Sequence, residues 1–190
     1  GPNGIPMPDS KPYIVNMLDK DKITADVTKA KQLADMVIVL PHWGTEYVYT
    51  PDSNQNYWTQ LFLSLGVDVV IGTHPHVLEP VEVVSDTKGH EMLVYYSLGN
   101  FVSNQDQKPR MIGGMAKMTL VKDETGCYVK NYNLTPVITQ KLFGKKAITT
   151  YKLSDYTESL ASGNAIRNDS GCSDFSLSYC QTLVKQILRD

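Results

Sequence analysis

The chain has 190 residues, enough for one sizeable hydrophobic core. Its 42% apolar and 20% charged composition is that of an ordinary globular protein, and a net charge of −2 without acidic or basic blocks argues against nucleic acid or an anionic membrane as the main partner. No apolar run approaches the ~20 residues of a membrane span, and no signal-peptide pattern opens the sequence.

The opening "GPNGIPMPDSKP" is turn-rich and reads as a loop. "YIVNML", residues 13–18, reads as a strand. Thr24 is placed as an N-cap with Asp26 in the first turn, followed by Val27, Ala30, Leu33 and Ala34 at helical spacing. "MVIVLP" is a short continuous apolar run, the pattern of a strand covered on both faces. After the polar loop "GTEYVYTPDSN", Tyr57, Trp58, Leu61, Phe62 and Leu65 mark a helix whose apolar residues face the core, closed by Gly66. "VDVVIG" is the next buried strand. Residues 36–72 therefore form a βαβ unit, which makes its two strands parallel.

Beyond residue 78 the pattern becomes antiparallel. One hairpin turns at "DTKGH", and a second turns at Glu124-Thr125-Gly126. Residues 139–151 read as irregular, and a short helix is placed near Ser154. A last helix carries Phe175, Tyr179, Leu183 and Ile187 on one face. The cysteines Cys127, Cys172 and Cys180 show no metal-site spacing, and buried free thiols are preferred to a Cys172–Cys180 pair.

Parallel strands deliver their carboxyl ends to one edge of the sheet, the edge at which open α/β sheets bind ligands. His42 follows one such end, and His74 and His76 follow the other in "GTHPH". Neutral imidazole is a common metal ligand, so these histidines are candidate metal ligands. Two histidines at i and i+2 point the same way in extended backbone, Pro75 stiffens the segment between them, and Gly72 allows a tight turn off the strand. Glu46, four residues past His42, is the catalytic candidate. It has three possible roles: general acid or base, ligand, or partner holding His42 in one tautomer. Trp43 reads as a wall of the site, Glu82 as a strand residue, and His90 as a solvated turn residue. Asn100 in "YSLGNF" reads as a turn residue or a substrate-side hydrogen bond, since Phe101 stands where a G-N-H motif would place a histidine.

"NGIPMPDSKPYIVN", "VIVLPHWGTEY", "DVVIGTHPHVLEPVE" and "YYSLGNF", in this order, resemble the bacterial capsule-synthesis family associated with poly-γ-glutamate. That family is similar to the calcineurin-like metallophosphoesterases. The resemblance covers roughly residues 1–121 and implies part of an α/β-β/α sandwich with mixed sheets, a βαβ unit being followed by antiparallel hairpins. Residues 1–138 would be the C-terminal half of that domain, and 139–190 an extension with its terminal helix packed on it. The resemblance places His42, His74 and His76 at metal-ligand positions for a pair of divalent cations, Mn, Fe or Zn. The remaining aspartate and asparagine ligands would precede residue 1, which makes the N-terminal half of the domain an expected partner.

The activity implied is metal-dependent hydrolysis of a phosphoester or related bond in poly-γ-glutamate capsule synthesis. It would take place at the extracytoplasmic face of the cell envelope, alongside other capsule-synthesis proteins. The alternative is a non-catalytic envelope component that binds or guides the anionic polymer.

Overall fold

The computed structural model describes residues 6–11, 13–142 and 147–189. Most of the turn-rich opening and the centre of the 139–151 segment fall outside these residues. Residues 13–18, expected as a strand, are turn and coil, with Tyr13 and Ile14 more than half exposed. Apolar content alone suggested a strand there, but no neighbouring strand pairs with the segment.

Helix α1 (Lys20–Leu33) starts earlier than expected, because Asp19 and not Thr24 is its N-cap. The Asp19 carboxylate accepts the Lys22 amide at 2.9 Å, while Thr24 lies inside the helix and donates its hydroxyl to the Lys20 carbonyl. Strand β1 (Ile38–Val39) is only two residues long and half exposed, not covered on both faces. It lies at an edge of its sheet. Helix α2 (Ser53–Ser64) opens with a complete capping box. Asp52 accepts the Gln55 amide, and the Gln55 side chain accepts the Asp52 amide. The helix closes as a Schellman turn at Gly66 (φ +75°), with Val67 N–H donating to the Phe62 carbonyl and Gly66 N–H to that of Leu63. Trp58 and Phe62 are buried on its inner face, whereas Tyr57, expected in the core, is 51% exposed.

Strand β2 (Val69–Ile71) pairs in parallel with β1, as a βαβ unit requires. Strands β3 (Val81–Ser85) and β4 (Glu91–Tyr95) form the first hairpin, and β4 also runs parallel to β2. The first sheet is thus mixed, in the order β1-β2-β4-β3. The second hairpin, β5 (Ile112–Asp123) and β6 (Gly126–Leu142), continues into β7 (Ala147–Lys152) as an antiparallel sheet. The described residues of 139–151 are therefore strand. Thr149, Thr150 and Tyr151 suit a half-exposed edge, a weak signal without the partner strand in view. Ser154, expected near the start of a short helix, lies instead in a 3-10 turn at Leu153–Asp155; α3 (Glu158–Ser162) starts three residues later at its N-cap Thr157, and α4 (Leu177–Leu188) starts at Ser176.

Successive side chains on β2 and β4 point to opposite faces, which builds two cores. Val70, Met92, Val94 and Tyr96 pack with Val27 of α1 and Trp58 and Phe62 of α2. Val69, Leu93 and Tyr95 pack with Ile112 and Ile138 of the second sheet and with Cys180, Val184 and Ile187 of α4. The architecture is α/β, and all three cysteines are free thiols, two of them buried.

Candidate metal centre

Two loops leave the carboxyl ends of β1 and β2 side by side. His42 and Thr73 form a parallel bridge, the Trp43 amide donates to the Thr73 carbonyl at 3.0 Å, and the Tyr47 amide donates to the Pro75 carbonyl at 2.8 Å. Gly72 makes this approach possible through size, not turn geometry. A Cβ there would lie 2.0 Å from the Tyr96 carbonyl oxygen and 2.4 Å from Trp43 Nε1. Trp43 is the buried wall expected, and its indole donates to the same Tyr96 carbonyl at 2.9 Å.

The H-P-H segment is not extended. His74 has φ +112° and His76 φ +61°, and Tyr47 in the facing loop has φ +68°. Such conformations are rare for residues with a Cβ and accumulate where function constrains the chain. Their result is convergence. One donor atom each from Glu46, His74 and His76 lies within 4.8 Å of the others. His76 Nε2 is 4.0 Å from Glu46 Oε1. His42 stands beside this set, its ring 4.5 Å from that of His74 at 49°. Burial, reinforced by His74 and His76, lowers the His42 pKa and favours the neutral ring.

The donors are held from behind. Asn100 Oδ1 lies 3.0 Å from His76 Nδ1, which fixes the tautomer with Nδ1–H donating and leaves Nε2 facing Glu46. The Asn100 amide donates to the carbonyls of His76 and Arg110. On the other side Tyr47 stacks at 27° on the His76 ring, and the Arg110 guanidinium lies 3.6 Å from the Tyr47 ring centre. The sequence reading missed Tyr47 and Arg110. H-W-G-T-E-Y places Tyr47 in the loop, but nothing local reveals its backbone or its contact with residue 110.

His74 Nδ1 is buried without a hydrogen-bond partner among the described residues. Buried polar atoms are almost always satisfied, so an imidazole with an orphaned nitrogen, on a residue grouped with a carboxylate and a second imidazole, fits a cation site. The remaining histidine, His90, is not a solvated turn residue. It is half-buried, and its Nε2 makes a 2.8 Å hydrogen bond with the Val67 carbonyl, tying the hairpin turn to the start of β2.

Fold and site together define an α/β protein with an imidazole–carboxylate cluster at the carboxyl edge of parallel strands. The model of the bacterial capsule synthesis protein family PGA_cap matches residues 2–105, and the chain belongs to that family. It is 36% identical over 111 residues to the PGA biosynthesis protein CapA of Bacillus subtilis (strain 168), covering 58% of this chain and 27% of that protein. It is 35% identical over 92 residues to the capsule biosynthesis protein CapA of Bacillus anthracis, covering 46% of this chain and 21% of that protein. The matched segment spans only a minor part of either relative's length. Among the described residues no helix is long and apolar enough to cross a membrane.

Proposed function

We propose that this chain carries part of the active centre of a metal-dependent hydrolase acting in poly-γ-glutamate capsule synthesis at the cell envelope. The observation that supports it best is the convergence of donor atoms from Glu46, His74 and His76 within 4.8 Å of one another. The capsule context rests on the family and on the names of the Bacillus relatives.

A mixed imidazole–carboxylate donor set suits Mn, Fe or Zn. Glu46, His74 and His76 would hold one cation, and a second would need further donors, with His42 adjacent to supply one. When bound, such cations contribute Lewis acidity and charge neutralisation at a phosphoester or related polar bond. The chain's own residues do the rest. Asn100 holds His76 in the tautomer that presents Nε2. Its amide hydrogens are taken by two backbone carbonyls, so a substrate contact would use the oxygen lone pair left by His76. Glu46 is 44% exposed at its side chain, so it stands at the mouth of the site, where it would act either as a ligand or, if the cation is held by imidazoles alone, as the general acid or base.

The test is hydrolysis of a generic phosphoester by the full-length protein, with and without chelator. Metal-dependent turnover that His74→Ala abolishes supports the hydrolase. Polymer binding that persists in chelator and in His42→Ala, with no turnover, would instead assign the cleft to binding or guiding the capsule polymer.

A further inference from the structure

The two ligand-bearing loops are joined by a buried polar bridge. Gln55, in the first turn of α2, and Glu79, three residues past His76, are both 0% exposed. Gln55 Nε2 donates to Glu79 Oε2 at 2.6 Å, and Gln55 Oε1 accepts the Asp52 amide at 3.0 Å. Asp52 Oδ1 accepts the Gln55 amide, and Asp52 Oδ2 accepts the hydroxyl of Thr45, the neighbour of Glu46, at 2.7 Å. The Gln55 amide also fills the space beneath Gly44 (φ +86°), where a Cβ would lie 2.7 Å from it. At the far end the Glu79 amide donates to the Ser97 carbonyl, fixing the second loop to the exit of β4.

A buried side-chain amide is costly unless both its ends are used, and here both are. Glutamine supplies an acceptor toward the first loop and a donor toward the second. Leucine would keep the bulk and lose both bonds. Glu79 Oε1 has no partner among the described residues, and burial favours the protonated carboxyl over the carboxylate.

On the reading of Glu46, His74 and His76 as a cation site, we propose that Gln55, seated on Glu79, is a positioning residue that sets the spacing between loops 42–47 and 73–78. It touches neither substrate nor cation, and it acts through Gly44, Thr45 and Glu79.

The experiment measures amide hydrogen exchange at Trp43 and Tyr47, whose N–H groups bridge the loops, together with Zn2+ affinity by calorimetry, in the full-length protein. Gln55→Leu is expected to speed exchange at both amides about tenfold or more, leave α4 amides unchanged, and weaken Zn2+ binding about 10–100-fold. Glu79→Gln, which still offers an oxygen to Gln55 Nε2, should keep the wild-type pattern. Glu79→Ala, which removes the seat, should reproduce that of Gln55→Leu. It serves in place of Gln55→Leu if that variant does not fold. Unchanged exchange at Trp43 and Tyr47, or acceleration shared equally by α4, overturns the proposal. A full-length protein that takes up no Zn2+ but shows the local acceleration overturns the cation reading and leaves the bridge standing.

Discussion

His74 and His76 hold backbone conformations that cost on the order of 1–3 kcal/mol each, and His74 buries an unpartnered ring nitrogen as well. A residue selected for stability alone would do neither. His74→Gly is therefore expected to raise stability by about 1 kcal/mol in thermal or urea unfolding while removing the cation binding proposed for this residue. A loss of stability would show that the ring is there for packing. Glu79 gives a second residue-scale prediction. Burial raises its pKa from 4.5 to about 7, against the opposing hydrogen bond from Gln55 and with help from Asp52. Between those values the folded chain holds a proton that the unfolded chain releases, so this group makes stability fall as pH rises from about 4.5 to about 7 and level off above. Glu79→Gln should lack that slope when melting is followed across the range. The sequence showed the histidines as candidates because imidazoles at strand ends are conspicuous. It did not show that Glu46 would converge with His74 and His76 while His42 stood aside, because that depends on positive φ at Tyr47, His74 and His76. Those angles are set by cross-loop hydrogen bonds and not by local preference.

Among the elements, α2 does the most to place the site, because its N-terminal turn is also the junction between the loops. Asp52→Ala should cost about 1 kcal/mol for the lost cap, and more through the bond to Thr45, read as a drop in unfolding midpoint. The parallel pairing of β1 and β2 was legible from two short apolar runs separated by a helix. Both hairpins were legible from their turn residues. Other features resisted for definable reasons. "YIVNML" has strand composition but no strand beside it. The third strand of the second sheet is an edge whose half-exposed face blurs the alternation. The D-x-x-Q capping box at Asp52 was readable in principle, and would have moved the start of the helix back to Ser53.

In the molecule as a whole, β1 is an edge of the first sheet with no strand paired to its outer side among the described residues. Here Ile38 is 40% and Leu40 74% exposed, above a groove of about 860 Å³ lined by Val15, Met17, Ile23, Val27 and Val39. Unpaired, apolar strand edges promote association. The 190-residue chain should therefore self-associate at high concentration, and Leu40→Lys should reduce this in light scattering without changing the melting temperature. The same end of the molecule contains a natural optical gauge. Trp43 is wedged against Gly72 and bonded to the Tyr96 carbonyl, so its indole registers how closely the exits of β1, β2 and β4 are drawn together. With Trp58 replaced by phenylalanine, the emission colour and quenching of the remaining tryptophan would follow any breathing of that junction in solution, without an added label.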